Sequence, residues 1–86
     1  MKVFKFGGAS VKDADAVRNV AEILKRFSKE RLLVVISAMG KTTNALETVV
    51  QAWKNQQKST FDTAVQTLKT YHLEIIADLF GSNDIE

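Results

Sequence analysis

A chain of 86 residues is one small domain at most, and its 45% apolar and 26% charged content is that of a folding sequence rather than a disordered one. The net charge of +2 comes from scattered basic residues and implies neither a nucleic-acid nor a membrane-surface partner, while zero cysteines and one histidine exclude disulfides and thiolate metal sites and argue against any protein metal centre. No apolar run approaches the ~20 residues of a bilayer span and the N-terminus does not read as a basic-then-apolar signal, so a cytoplasmic protein is expected.

Lys2 to Phe6 alternates, with Phe4 and Phe6 on one face and Val3 and Lys5 on the other, which predicts a strand over 2–6. Lys5 breaks the pattern, because it shares a face with Val3 at the carboxyl end of the strand, where parallel sheets bind ligands. The stretch Lys5 to Ser10 then offers a lysine, two glycines and a hydroxyl before a helix, the parts from which phosphate-holding turns are made.

From Asp13 the apolar period changes to that of a helix, over about 13–28. Val17, Val20, Ala21, Leu24 and Phe27 form one stripe, widened by Ile23, with Asp13 as N-cap and Asp15 in the first turn. After the polar break at Ser28–Glu30, Arg31 to Ser37 is an unbroken β-branched run. It predicts a strand over 31–37, buried on both faces and parallel to the first. A second helix over about 43–56 carries Leu46, Val49, Val50 and Trp53 on one face, with Asn44 and Glu47 at capping-box spacing and Thr43 as the alternative cap. A third, over about 60–80, runs through Phe61, Val65, Leu68, His72, Ile75 or Ile76 and Leu79 and stops at Gly81. His72, Tyr71 and Trp53 read as packing residues. The tail from Ser82 to Glu86 holds no further strand.

The expected class is therefore α/β, built as a βαβ unit with two further helices. Two strands are fewer than a stable α/β layer needs, so the chain reads as the front of something larger. Both helices that follow a strand would aim their positive ends at the same sheet edge.

Two nucleotide motifs fail. The dinucleotide pattern lacks correctly spaced glycines after Gly7 and Gly8, and the P-loop pattern, suggested by Gly40-Lys41-Thr42, has Val35 where its first glycine belongs. A third pattern fits. Val3-Phe4-Lys5-Phe6-Gly7-Gly8-Ala9-Ser10-Val11 resembles the N-terminal signature of aspartate kinases, in the amino-acid kinase superfamily, and Val34 to Met39 followed by Thr43 and Asn44 resembles that family's second motif. The likeness is close over about the first 50 residues; Ala9 stands where the family more often has threonine.

The resemblance implies the N-terminal part of the three-layer, carbamate kinase-like fold. It also implies transfer of a phosphoryl group from MgATP to the side-chain carboxylate of L-aspartate. Lys5 would be catalytic and would bind nucleotide together with Gly7, Gly8 and Ser10, while Ser37, Thr43 and Asn44 would lie at the aspartate site. ATP and Mg2+ are the implied cofactors, with no protein metal site, and the full-length protein is expected to be a homo-oligomer. The family's later substrate and adenine residues and its ACT regulatory domains have no counterpart in residues 1–86, so this chain alone is expected to be inactive. A glutamate, N-acetylglutamate or UMP kinase, or a small non-catalytic interaction domain, are the alternatives.

Overall fold

The computed structural model describes residues 1–81, so the reading of the tail falls outside the described residues. The order of elements is β1 (Lys2–Phe6), a 3-10 helix (Gly8–Val11), α1 (Ala14–Lys25), β2 (Leu32–Ile36), α2 (Thr42–Lys54) and α3 (Lys58–Phe80). The chain divides into two compact units, residues 1–41 and the residues from Thr42 onward.

In the first unit β1 and β2 pair in parallel, Lys2 opposite Leu32 through Phe6 opposite Ile36. Parallel partners need a crossover, and α1 supplies it. Phe4, Phe6 and Val34 alternate onto one face, where Val17, Val20, Ile23 and Leu24 of α1 meet them together with Val11 and Met39. Val11, Ala14 and Val20 are among the most buried residues, and each such valine stabilises the unit by about 1.5 to 3 kcal/mol. Ala21, expected in the stripe, is exposed instead. Phe27 closes one end of this layer with its ring 5.1 Å from that of Phe4, and the Lys2 ammonium lies 5.3 Å from the Phe27 centroid.

The helix α1 starts where expected. Asp13 takes an extended conformation, and its carboxylate accepts the Ala16 N–H at 2.8 Å, while Asp15 sits in the first turn and pairs with Arg18. It ends at Lys25, three residues early, because the N–H groups of Arg26, Phe27 and Ser28 reach carbonyls three residues back and tighten the chain out of α geometry.

The second strand departs from expectation in its surroundings. A run as apolar as Leu32–Ile36 implies cover on both faces, yet only one face is covered among the described residues. Val3, Leu33 and Val35 on the other face are 56%, 49% and 46% exposed, and Lys5 lies among them.

The second unit is a helical hairpin. Its turn is a Schellman motif, in which the Gln57 N–H reaches the Ala52 carbonyl at 2.9 Å and the Gln56 N–H reaches that of Trp53 at 3.1 Å. Gln56 holds the left-handed position at φ 57°, which is why α2 stops at Lys54 rather than at 56. Ala52 and Ile75 are buried, with Ala45, Val49, Val65 and Leu68 half-buried. Leu46, Val50 and Trp53, taken from the sequence as packing residues, are exposed, Trp53 at 69%. Small side chains let two helices approach closely, so the contact stripe of α2 centres on its alanines rather than on its largest apolar groups. Gly81 ends α3 at φ 78°, and its N–H bonds to the Ala77 carbonyl.

Candidate functional site

The carboxyl ends of β1 and β2 open into two loops of the first unit, and the backbone ties these loops together. The ladder extends one step past the strands, where Ser37 donates its N–H to the Phe6 carbonyl at 2.9 Å. Gly7 then continues extended, at φ −76° and ψ 178°, and caps the 3-10 helix Gly8–Val11, whose Ser10 N–H returns to the Gly7 carbonyl. From the other side Gly40, left-handed at φ 55°, donates its N–H to the Gly8 carbonyl at 3.0 Å.

The two glycines of the first loop thus have different reasons to be glycine. A Cβ on Gly8 would overlap the Gly40 carbonyl oxygen and crowd that of Ala38 at 3.2 Å, so its bare backbone serves the contact between loops. A Cβ on Gly7 would meet nothing within 4 Å, and its dihedrals suit any residue. Among the described residues no packing accounts for a glycine there. Open space beside a bare backbone at a sheet edge is what a close-approaching ligand uses.

Lys5 lies one residue before the end of β1, opposite Val35, exposed, and among the described residues no carboxylate pairs with it. The ammonium therefore stands among apolar neighbours at the ligand edge. The Ser10 side chain is exposed on the 3-10 helix, and the Ser37 hydroxyl, also exposed, donates to the Ala38 carbonyl at 3.2 Å. Lys5, Gly7, Gly8, Ser10 and Ser37 all belong to this unit.

The N-terminus of α1 is not an open anion site, because the Asp13 carboxylate already fills it and Asp15 adds a second negative charge. Groups of this edge that can meet an anion include the Lys5 ammonium, the Ser10 hydroxyl and the N–H groups that lead the 3-10 helix, which have no intrahelical partner. Among the described residues no group of three or more histidine, cysteine or acidic side chains could hold a metal ion.

Thr43 and Asn44 lie in the second unit, exposed in the first turn of α2, and they line an open groove with Leu46, Glu47, Val50 and Thr60. The capping-box reading is corrected. The helix begins at Thr42, so Thr43 and Asn44 sit inside it, and Asn44 contributes its carbonyl to the Thr48 hydroxyl at 3.3 Å instead of a cap. Two residues that sequence reasoning passed over matter to this geometry. Gly40 was visible only as the remnant of a failed P-loop, and Thr42 only as its hydroxyl; their partners Gly8 and His72 lie about 30 residues away, beyond the reach of local pattern.

A class follows from these features: the first unit is a parallel α/β strand–helix–strand with a glycine turn at its carboxyl edge and, among the described residues, a lysine there with no carboxylate partner. The sequence matches the profile of the Amino acid kinase family over residues 1–82, and the chain belongs to that family. Its first unit is consistent with the N-terminal part of the family's α/β fold. A chloroplastic bifunctional aspartokinase/homoserine dehydrogenase of Daucus carota is 32% identical over 83 residues, covering 96% of this chain and 9% of that protein. The chloroplastic Aspartokinase 2 of Arabidopsis thaliana is 52% identical over 44 residues, 51% of this chain and 8% of that protein. Bifunctional aspartokinase/homoserine dehydrogenase 2 of Escherichia coli strain K12 is 29% identical over 85 residues, covering 99% of this chain and 10% of that protein. The chain spans about a tenth of the length of these relatives. No helix among the described residues is long and apolar enough to cross a membrane.

Proposed function

We propose that residues 1–86 form the N-terminal part of an aspartate kinase catalytic domain. The enzyme would transfer the terminal phosphoryl group of MgATP to the side-chain carboxylate of L-aspartate, giving 4-phospho-L-aspartate at the head of lysine, threonine and methionine synthesis. One observation carries the reading: a glycine turn beside an unpaired lysine, tied to the loop that follows β2, in a chain whose curated relatives are named aspartokinases.

In this reaction a carboxylate oxygen attacks the terminal phosphorus, the bond to the bridging oxygen breaks, and ADP leaves with the electron pair. The acceptor is already an anion at neutral pH, so no general base is needed. What must be overcome is repulsion between a carboxylate and a triphosphate, and catalysis then rests on positioning and charge neutralisation. Lys5 supplies the compact positive charge and is the catalytic residue. Gly7 lets the phosphates approach the backbone, Gly8 offers its backbone while holding the two loops together, and the Ser10 hydroxyl completes the nucleotide side. Ser37, Thr43 and Asn44 bind aspartate. Magnesium would enter with the nucleotide rather than on protein ligands among the described residues, and would supply charge neutralisation on the phosphates. The full-length protein works as a cytoplasmic homo-oligomer, and the 86-residue chain alone turns nothing over.

The test is a substrate panel on the full-length protein, with acyl phosphate trapped as the hydroxamate and ADP release coupled to a dehydrogenase. Turnover of L-aspartate in preference to other acceptors is the expected result. A preference for glutamate, N-acetylglutamate or UMP would reassign the substrate. Amide shifts at Gly7 and Gly8 that stay still on addition of MgATP would instead favour a non-catalytic interaction domain.

A further inference from the structure

The chain has a single histidine, His72, which belongs to the second unit, and the mechanism does not use it. Its ring is half-buried on α3, with the Tyr71 ring edge-on at a centroid distance of 5.1 Å. Nδ1 lies 2.9 Å from the Leu68 carbonyl one turn back. A carbonyl only accepts, so Nδ1 carries a proton, and in the Nδ1–H tautomer Nε2 is the acceptor. The group facing Nε2, at 3.5 Å, is the hydroxyl of Thr42, the buried first residue of α2.

We propose that His72 is a positioning residue, which through Thr42 sets where α2 begins and so how Thr43 and Asn44 are presented. The proposal rests on the reading of those two residues as aspartate ligands. The first N–H groups of a helix have no intrahelical partner, and the first turn of α2 has no acidic residue to steady it. A tie from a second helix, 30 residues away in sequence, holds the side chain of the first residue of α2; it satisfies no backbone N–H, and its effect is on position alone. Thr43 and Asn44 are the next two residues and are exposed, so no packing of their own sets their direction. An aromatic residue of similar size at 72 would fill the same space, but it would leave the Thr42 hydroxyl without this acceptor.

The experiment compares His72→Phe, Thr42→Val and the double variant with the parent protein, by amide hydrogen exchange and by steady-state kinetics of the full-length protein. In an α-helix the Leu46 and Glu47 N–H groups bond to the Thr42 and Thr43 carbonyls and so report on the first turn. The expected result is exchange faster by about two- to fivefold at Leu46 and Glu47 in each single variant, and no faster in the double, the range for losing one long hydrogen bond. The Gln57 N–H, bonded to Ala52 in the interhelical turn, stays unchanged. His72→Gln, whose amide oxygen can accept from the hydroxyl, restores the parent rate. In turnover, KM for L-aspartate rises by a similar factor while KM for ATP does not. Uniform acceleration along α2, or effects of the two single variants that simply add, would overturn the tie and leave His72 as a packing residue. The expected exchange pattern without any change in KM for aspartate would overturn the assignment of Thr43 and Asn44 instead, so the two failures are distinguishable.

Discussion

Replacing each glycine of the first loop with alanine separates a structural glycine from a functional one. At Gly8 the added methyl meets two carbonyl oxygens of the neighbouring loop, overlapping that of Gly40 and lying 3.2 Å from that of Ala38. Both are backbone atoms, so no side-chain rotation relieves the clash. Either the contact stays strained, at about 1 to 3 kcal/mol, or the loop moves and gives up the Gly40 N–H to Gly8 bond, worth about 0.5 to 1.5 kcal/mol, along with its packing. Reduced freedom of the unfolded chain returns about 0.4 to 1 kcal/mol. The net expectation for Gly8→Ala is a loss of about 0.5 to 2.5 kcal/mol, or roughly 2 to 20 °C in Tm for a domain of this size. At Gly7 the same methyl enters open space on a backbone that alanine adopts freely, so Gly7→Ala keeps only the unfolded-state gain of about 0.4 to 1 kcal/mol. Urea unfolding followed by circular dichroism measures both variants, and MgATP titration measures what each does to binding. Gly7→Ala is expected to fold at least as well as the parent and to bind nucleotide less tightly. Equal stability of the two variants would refute the argument from the loop contact, and undiminished nucleotide affinity in Gly7→Ala would refute the use of its open space for phosphate.

Lys5→Ala removes an exposed charge with no carboxylate partner, so stability should change by no more than about 0.5 kcal/mol, while phosphoryl transfer by the full-length protein should fall by about 10²- to 10³-fold; unfolding and steady-state assays on one preparation check the pair. Asp13→Ala deletes the carboxylate that accepts the Ala16 N–H and should cost about 1 kcal/mol, with faster amide exchange confined to the first turn of α1. Gln56→Gly should stabilise the helical hairpin by about 0.5 to 1 kcal/mol, because glycine holds the left-handed position without the Cβ penalty and keeps the Schellman bonds; a lower urea midpoint would contradict that.

Much of the architecture was legible because local rules and packing agree. The alternation of Phe4 and Phe6 against Val3 and Lys5 marked β1 to the residue, the change of period at Asp13 marked α1 and its cap, and Gly81 marked the end of α3. The boundaries that were missed belong to backbone geometry with no strong residue signal. The 3-10 helix Gly8–Val11 spans a single turn, and Gln56 takes a left-handed conformation that glycine more often announces. The apolar stripes told which elements pack but not which side chains touch. Trp53 looked like a core residue and is exposed, because the hairpin closes on alanines.

For the candidate site, the sequence by itself determined the chemistry on offer: a lysine at a strand end, a glycine turn, hydroxyls and an amide, and the family likeness carried by their spacing. Spacing along a chain records local order, and these motifs are local. Only the tertiary structure decided how those residues divide their tasks. It separated Gly7, with open space where a Cβ would sit, from Gly8, committed to Gly40; it closed the start of α1 with a carboxylate; and it set His72 against Thr42. Whether a Cβ clashes, or which hydroxyl a ring nitrogen faces, depends on atoms brought together from some 30 residues apart, and that information exists only once the chain has folded.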